Sequence, residues 1–368
     1  MKNGSRLAAL GGVVVAGALA LSACGSDNNA GTDASNAPTG KVDCVKGTVN
    51  AAGASSQKNA IEEWKKIYAQ QCAGATLNYN PAGSGAGIQA FLAGQVSFAG
   101  SDSALDAEEA PKAQQRCQGN PAWNLPMVVG PVAVIYNLQG VDGLQLKPET
   151  LASIFAGKIK KWNDPAIAKD NPDAQLPDND IKPIHRADES GTTENFTDYL
   201  GNVAGDVWKW EAEKKWPTEA GGQGAPKSDG VVTVLKQTQG GISYVEMSFA
   251  TKNSLQTAKI ANGAGEFVEV SEQSVGSALD GAKIVGQGND LAMELDYNTK
   301  TAGAYPIFLV TYEVVCSKGL PADQAQFVKA FLKYTASEDG QKVLTEAGYA
   351  PLSDGLATKV RASIEALS

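Results

Sequence analysis

Three Gly/Ser-rich turns contain residue types that could hold a small anion. They lie at residues 53–56 (GASS), 83–87 (GSGAG) and 190–193 (SGTT). Each turn follows a predicted strand and opens a predicted helix, where unpaired N–H groups and the positive end of the helix dipole favour negative charge. Glycine lets the backbone approach a ligand closely, and serine or threonine adds hydroxyl donors. Three such turns, with Arg186 just before the third, favour a tetrahedral oxyanion as the ligand.

A single turn of this kind would be explained equally well by helix capping, because Ser and Thr cap helices in many proteins. The turn at 83–87 lacks the Gly-Lys-Ser/Thr of a nucleotide P-loop. The turn at Ser190 lacks the two glycines of a Gly-x-Ser-x-Gly nucleophile elbow, because Asp188 and Thr192 stand in their places. The argument for an anion site therefore depends on all three turns together.

Asp102 follows the predicted strand at residues 96–100, where the ligand crevices of open α/β sheets lie. One interpretation is a helix cap before the predicted helix at 105–113. The other is a ligand contact, because an acceptor-only carboxylate repels an anion unless that anion has a proton to donate. Hydrogen phosphate carries such a proton at neutral pH and sulfate does not. Asp102 would then select phosphate.

The main alternative is an enzyme, either a secreted phosphatase or a serine hydrolase. His185, Asp188 and Ser190 could suggest a triad, but His185 is the only histidine. Strand alternation also places its side chain on the face opposite Arg186. We predict no metal and no cofactor, because the sequence offers neither a Cys-x-x-Cys pair nor a histidine cluster. A binding protein for sulfate or molybdate is a second alternative, and an added role as an adhesin or sensor stays open.

The composition indicates a soluble globular protein of two domains, with 368 residues, 43% hydrophobic and 19% charged. The formal net charge of −9 argues against nucleic acid as a partner. An anionic ligand remains possible, because local backbone dipoles can hold one inside an acidic protein.

The N-terminus has the pattern of an export signal. Lys2 and Arg6 precede an apolar run at residues 7–21, which is too short to span a membrane. The run ends in Leu-Ser-Ala-Cys, and small residues before a single Cys predict a lipoprotein signal peptide at 1–23 with lipid on Cys24. An ordinary signal peptide cut after Ala23 is the alternative. Residues 24–43 are polar and small, and we expect a flexible tether.

Four cysteines remain after Cys24, and an even number in an exported chain favours disulfides. Three pairings are possible. We favour Cys44–Cys72, because each would precede one of two neighbouring early strands, and Cys117–Cys316 then follows. Along the rest of the chain strand-like and helix-like segments alternate, which predicts an α/β fold with a mostly parallel sheet and helices on both faces.

Several segments together resemble the phosphate-binding proteins of bacterial phosphate-specific ABC importers, the PstS family. The strongest match is HRADESGTTENF at 185–196, joined by IFAGKI at 154–159, WNDP at 162–165 and AYPI at 304–307. The resemblance covers nearly all of the chain from about Val45. It implies a two-lobe periplasmic binding protein fold of type II with the ligand in the cleft. Lobe I would be residues 44–129 plus 310–368, and lobe II residues 130–309.

The resemblance also implies a role for each site residue. The phosphate contacts would be Ala54, Ser55, Ser56, Ser84, Asp102, Arg186, Ser190, Gly191 and Thr192, with Asp188 as the ionic partner of Arg186. Two positions depart from the family pattern. Many relatives have an aromatic residue in place of Ser56 and glycine in place of Glu189, whose side chain we expect in solvent.

The function implied is high-affinity capture of inorganic phosphate outside the cytoplasm, without catalysis, and its delivery to the permease subunits of an ABC importer. The chain would be a monomer held to the cell membrane by the lipid on Cys24.

Overall fold

A computed structural model describes residues 42–368. The predicted signal peptide at 1–23, Cys24 and most of the predicted tether at 24–43 lie outside the described residues. Among residues 42–368, no helix combines the length and apolar character that a membrane crossing requires.

Strands and helices alternate along the described residues. The strands are β1 (Gly47–Gly53), β2 (Ala75–Asn80), β3 (Phe98–Ser101), β4 (Ala122–Asn137), β5 (Gln145–Leu146), β6 (Lys182–Arg186), β7 (Gln223–Ala225), β8 (Gly241–Glu246), β9 (Gln256–Thr257), β10 (Lys259–Ala261), β11 (Phe267–Val268), β12 (Lys283–Ile284), β13 (Met293–Glu294) and β14 (Phe308–Cys316). The α-helices are α1 (Lys58–Gln71), α2 (Ser84–Leu92), α3 (Glu109–Arg116), α4 (Pro148–Phe155), α5 (Pro165–Asp170), α6 (Gly191–Ala204), α7 (Lys227–Gln237), α8 (Met247–Lys252), α9 (Glu272–Leu279), α10 (Ala322–Thr335), α11 (Glu338–Glu346) and α12 (Asp354–Glu365).

The main sheet of the described chain has nine strands, in the order β2-β1-β3-β14-β4-β8-β6-β7, with β9 beside β4. At its two sides the pairing is parallel, between β1 and both β2 and β3, and between β6 and both β7 and β8. In the centre β14 runs antiparallel to β3 and β4, and β4 runs antiparallel to β8. The α/β class is confirmed. The prediction of a mostly parallel sheet is wrong in the centre, because β14 returns from late in the chain to lie between two earlier strands.

Strand β4 changes its partner along its length. From Ala122 to Pro131 it pairs with β14, and from Val132 to Asn137 it pairs with β8. The sheet therefore has a first half around β1, β2 and β3 and a second half around β6, β7 and β8. The long strands β4 and β14 connect the two halves.

The core forms because the central strands are mostly apolar and buried along their length, rather than alternating between apolar and polar residues. All of β14 and nearly all of β4 is buried, which is the pattern of strands covered on both faces. On α1 the buried residues Ile61, Trp64 and Tyr68 recur at helical spacing. The Tyr68 ring packs edge-on against Phe331 of α10 at 5.4 Å. The C-terminal helices thus cover the first half of the sheet.

Two disulfides link distant parts of the chain. One joins Cys44 to Cys72, before β1 and β2, and the other joins Cys117 to Cys316, across 199 residues of sequence. These are the pairings that the sequence favoured. By closing long loops, they restrict the unfolded chain more than the folded one.

Glu313 lies in the middle of β14 and is completely buried. Neither of its carboxyl oxygens has a hydrogen-bond partner among the described residues. Burial raises the pKa of Glu313 to about 8, and the charge of Asp102 adds to the rise, although the nearby Gln57 amide opposes it. The folded chain therefore keeps Glu313 protonated at neutral pH.

Replacing Glu313 with glutamine should stabilise the protein increasingly as pH rises. The folded-state pKa of about 8 exceeds the ordinary value of 4.5, so the wild type loses stability between these pH values as the buried acid resists ionisation. The loss is on the order of 1.4 kcal/mol per pH unit in that window. Urea unfolding of both proteins from pH 5 to pH 9 measures it. A difference in unfolding free energy that is flat with pH would contradict the assignment.

Candidate functional site

The three Gly/Ser-rich turns lie where strands end and helices begin, as predicted. The first joins β1 to α1, the second precedes α2 and the third precedes α6. At the third turn Ser190 is the helix cap, and its Oγ accepts the Thr193 N–H at 3.2 Å. The side chains assigned to the turns are almost fully buried, namely Ala54, Ser55, Ser56, Ser84, Ser190 and Thr192.

Asp102 is the point at which the first two turns meet. Its Oδ1 accepts the Ser56 hydroxyl at 2.5 Å and the Thr311 hydroxyl at 2.8 Å. Its Oδ2 accepts the Ser84 hydroxyl at 3.3 Å. The third turn joins through Gly191, whose N–H donates to Ser84 Oγ at 3.2 Å. Hydrogen bonds thus bring one residue of each turn together around Asp102.

The electrostatic environment of Asp102 raises its pKa to about 6. Burial is the largest cause, and the charge of Glu246 is the next. The hydroxyls of Ser56 and Thr311 and the charge of Arg186 oppose the rise. At neutral pH Asp102 is a buried carboxylate with an increased affinity for protons, which suits an acceptor of a ligand hydrogen.

Arg186 is the buried cation of the site. Its Nε and Nη2 donate to the two Asp188 oxygens at 2.8 and 2.6 Å, and its Nη1 lies 3.4 Å from Thr192 Oγ1. Burial alone would lower the pKa of Arg186, but the ion pair with Asp188 outweighs it and raises that pKa. Burial alone would raise the pKa of Asp188, but the hydrogen bonds and charge of Arg186 outweigh burial and lower that pKa. The pair therefore stays ionised.

Three residues that the sequence analysis missed complete the cluster: Ser228, Glu246 and Thr311. Ser228 lies at the start of α7, Glu246 ends β8 and Thr311 lies within β14. A signal for Glu246 was available, because a strand of an open α/β sheet that ends in a charged residue points to the crevice. Ser228 was missed because the segment PKSDG at 226–230, which opens α7, has the Pro and Gly composition of a loop.

Direct contacts join the two halves of the sheet around the site. Ser55 Oγ lies 3.0 Å from Ser228 Oγ, and the ammonium of Lys58 lies 2.7 Å from the carboxylate of Asp229. The Asn195 amide donates to the Asp102 carbonyl at 2.8 Å. The side chains of the site therefore come from both halves, and no half forms it alone.

The two departures from the family pattern have different surroundings. Ser56 donates to Asp102, so its hydroxyl belongs to the site. Glu189 is 41% exposed and pairs with Lys215 at 3.0 Å, as expected for a side chain directed to solvent.

His185 is half-buried, and its ring stacks on Trp216 at 5.0 Å. It packs in an aromatic cluster beside the site.

The arrangement favours an oxyanion that carries a proton. Backbone N–H groups, hydroxyls and one guanidinium supply donors, and Asp102 supplies an acceptor. Among residues 42–368, no group of three His, Cys, Asp or Glu side chains is placed to hold a metal ion.

Comparison with known proteins defines the class first. A family described as "PBP superfamily domain" matches residues 38–339, most of the chain. A solved high-affinity periplasmic phosphate-binding protein (PfluDING) bound with phosphate has 23% identity and a TM-score of 0.69, over 85% of this chain and 93% of that one. A substrate-binding protein with bound phosphate from Clostridium perfringens has 17% identity and a TM-score of 0.61, over 83% of this chain and 100% of that one. The fold is that of the PBP superfamily.

Curated relatives narrow the class. The chain is 44% identical to phosphate-binding protein PstS 3 of Mycobacterium tuberculosis, over 99% of each protein. It is 33% identical to phosphate-binding protein PstS of Xylella fastidiosa, over 85% of this chain and 84% of that one. The chain belongs to the PstS family of phosphate-binding proteins.

Replacing Gly191 with alanine should damage the site and leave the rest of the fold intact. An added Cβ would lie 2.5 Å from Asp102 Cβ and 2.8 Å from Ser84 Oγ, so both groups would have to shift. We expect a loss of stability of about 1–3 kcal/mol from overpacking and a clear loss of phosphate affinity. Urea unfolding and calorimetric titration with phosphate measure the two effects.

Gly201 provides the matched control on the same helix. A Cβ there meets no atom within 4 Å, so Gly201→Ala should keep phosphate affinity and stabilise the helix by up to about 1 kcal/mol. Equal phosphate affinities for the two variants would show that Gly191 does not need its close approach to Asp102.

Proposed function

We propose that this protein captures inorganic phosphate outside the cytoplasm and delivers it to an ABC importer. The supporting observation is the Asp102 carboxylate, buried among the hydroxyls of Ser56, Ser84 and Thr311 and close to the third turn. The names of the PstS relatives and the phosphate bound in two structural neighbours agree with this ligand. Binding needs no covalent chemistry, so the protein acts as a receptor rather than an enzyme.

The ligand would be hydrogen phosphate. Its oxygens would take the N–H groups of Ser56 and Thr192 and the Arg186 guanidinium, while Asp102 accepts its proton. The Gly191 N–H and the hydroxyls of Ser56 and Ser84, which bond to one another and to Asp102 in the structure, would exchange those partners for phosphate oxygens. The N–H of Ala54, predicted as a further contact, donates to the Gly100 carbonyl at 2.8 Å instead. Sulfate has no proton at neutral pH, so it would meet a bare carboxylate in a buried site. Repulsion there is strong because few waters screen it.

We further propose that the two halves of the sheet are the two lobes of the protein, with residues 44–129 and 310–368 in one and 130–309 in the other. The change of partner along β4 falls between Pro131 and Val132, close to this boundary. A hinge there would let the lobes open to admit phosphate and close around it. The closed form would then dock on the permease subunits as a monomer.

Calorimetry tests the ligand. Wild type should bind phosphate with micromolar or tighter affinity, about −8 kcal/mol or better, and give no heat with sulfate. Asp102→Ala should weaken phosphate binding by tenfold or more, because the ligand proton loses its acceptor at a cost of about 1.4 kcal/mol or more. Asp173→Ala, at an exposed site, is the control and should bind as wild type does.

Unchanged phosphate affinity in Asp102→Ala would remove the role given to that carboxylate. Turnover of a generic phosphoester by the wild type would revive the phosphatase alternative.

The membrane anchor is a separate proposal. Small residues before Cys24 and the polar segment after it favour a lipid on Cys24, with the folded body held off the membrane surface. Cys24→Ala, expressed in a bacterium with lipoprotein processing, should move the protein from the membrane fraction to the soluble fraction. Ser26→Ala is the neighbouring control and should stay with the membrane. A Cys24→Ala variant that still sediments with membranes would contradict lipid anchoring.

A further inference from the structure

Glu313 is a buried acid that the proposed phosphate contacts do not use. It lies in the middle of β14, where it pairs with Gly100 of β3 on one side and with Leu125 of β4 on the other. It is completely buried, and neither of its carboxyl oxygens has a hydrogen-bond partner among residues 42–368. A buried carboxyl group without a partner lowers stability, and a neighbouring acceptor that uses its hydrogen would offset that cost.

The Gln57 side chain lies beside Glu313 because Gly100 leaves room for it. Directly paired residues of antiparallel strands point to the same face of a sheet, so Glu313 shares a face with the place where Gly100 has no side chain. A Cβ on Gly100 would overlap the Gln57 amide nitrogen and lie 2.5 Å from the Tyr79 hydroxyl. The Gln57 amide also acts on the pKa of Glu313. Glu313, Gln57 and Tyr79 thus form one cluster on that face.

The hydrogen bonds of this cluster leave one acceptor on Gln57 without a donor. Its Nε2 donates to the Tyr79 hydroxyl at 3.1 Å, and that hydroxyl donates its own hydrogen to the Ala54 carbonyl at 2.9 Å. Gln57 Oε1 is buried and has no partner in the described part of the chain. An ionised Glu313 could offer it no hydrogen, since a carboxylate only accepts. A protonated Glu313 carries one, and burial, which raises the pKa of Glu313 to about 8, keeps that proton in place at neutral pH.

This chain of hydrogen bonds ends at the first Gly/Ser-rich turn. Ala54 is held on both sides, its N–H by the Gly100 carbonyl at 2.8 Å and its carbonyl by Tyr79. In a trans peptide the next N–H points away from the carbonyl, so Tyr79 fixes the direction of the Ser55 N–H. The same stretch of backbone presents the Ser56 N–H, one of the proposed phosphate donors. The position of these groups therefore depends on which acceptor the Tyr79 hydrogen reaches.

We propose that Glu313 is a positioning residue of the phosphate site, whose protonated carboxyl donates to Gln57 Oε1 and so keeps the Tyr79 hydrogen on the Ala54 carbonyl. This rests on the proposed phosphate function. When Glu313 loses its proton, the Gln57 amide rotates so that Nε2 donates to the carboxylate. Its Oε1 then takes the Tyr79 hydrogen, and the first turn loses the bond that orients it. Glu313 acts through these two side chains and does not touch the ligand.

The groups that face Glu313 oppose its ionisation. The charge of Asp102, just after β3, raises the pKa of Glu313. Tyr79 of β2 is a neutral phenol, and the charge of Glu313 raises its pKa in turn. Gln57, just before α1, and Leu125 of β4 carry no charge. Asp102 titrates near pH 6, so between pH 7 and pH 9 the titrating member of this set is Glu313.

Calorimetric titration with phosphate at pH 7 and pH 9, on wild type and Glu313→Gln, tests the proposal. The glutamine amide can donate to Gln57 as the protonated acid does, but it cannot ionise. The ratio of Kd in wild type to Kd in Glu313→Gln should be about 1 at pH 7 and about three- to tenfold higher at pH 9, because a group with a pKa of about 8 is then roughly nine-tenths ionised. The ratio cancels the ionisation of phosphate itself, which is the same for both proteins.

Two further variants separate hydrogen bonding from packing. Glu313→Leu fills a similar volume but has no hydrogen to donate, so it should bind phosphate about threefold or more weakly than Glu313→Gln at both pH values. Tyr79→Phe removes the last link, so its affinity should be lower at pH 7 and should change with pH as that of Glu313→Gln does. Tyr334→Phe is the control and should bind as wild type does, because that buried hydroxyl has no partner among the described residues.

Each measurement can contradict the inference. A Kd ratio that stays constant from pH 7 to pH 9 would remove it and leave the phosphate function standing. Equal affinities for Glu313→Leu and Glu313→Gln would reduce Glu313 to a packing residue, and wild-type affinity in Tyr79→Phe would break the link to the first turn. A wild type that binds no phosphate at pH 7 would instead remove the proposed function itself. Thermal unfolding checks that each variant folds, and the Kd ratio with Glu313→Gln decides even if Glu313→Leu does not fold.

Discussion

The site depends on keeping the Asp102 carboxylate buried and fully hydrogen-bonded. A carboxylate taken out of water costs several kcal/mol unless hydrogen bonds replace its hydration. Here the replacement comes from Ser56, Ser84 and Thr311, which belong to three separate segments of the chain. The carboxylate is stable only when β1, α2 and β14 are in register around β3. The carboxylate proposed for phosphate recognition is therefore stable only in the correctly assembled fold.

The protein holds a negative ligand although its own net charge is −9. Local dipoles make this possible, since helix N-termini and hydroxyls act over a few ångströms while the net charge is spread and screened. The buried guanidinium of Arg186 is paired in bidentate fashion with Asp188, which fixes its plane and tempers its charge. An unpaired buried arginine would bind any anion strongly. An arginine paired with a carboxylate attracts anions less strongly, so the acceptor groups of the site decide which anion is bound.

The sequence predicted the parts of the site that depend on local chemistry. The turns at Ser55, Ser84 and Ser190 were found because a Gly/Ser run between a strand and a helix indicates a helix N-terminus with unpaired N–H groups. Thr311 was not found, because a threonine inside an apolar strand looks like any β-branched residue. Ser228 and Glu246 were missed because their importance comes from pairing between β8 and β6 and from the start of α7. The antiparallel centre of the sheet was missed for the same reason, since local order along a chain does not say where a late strand will insert.

The insertion of β14 between β3 and β4 has a consequence for biogenesis. The strands on either side of it are made early, and the gap they leave can be filled only after some 180 further residues have emerged. Non-local pairing of this kind is slow and leaves strand edges exposed while it waits. An exported chain of this topology can complete its main sheet only when the last fifth of its residues has crossed the membrane, and until then the edges of β3 and β4 that face β14 stay unpaired.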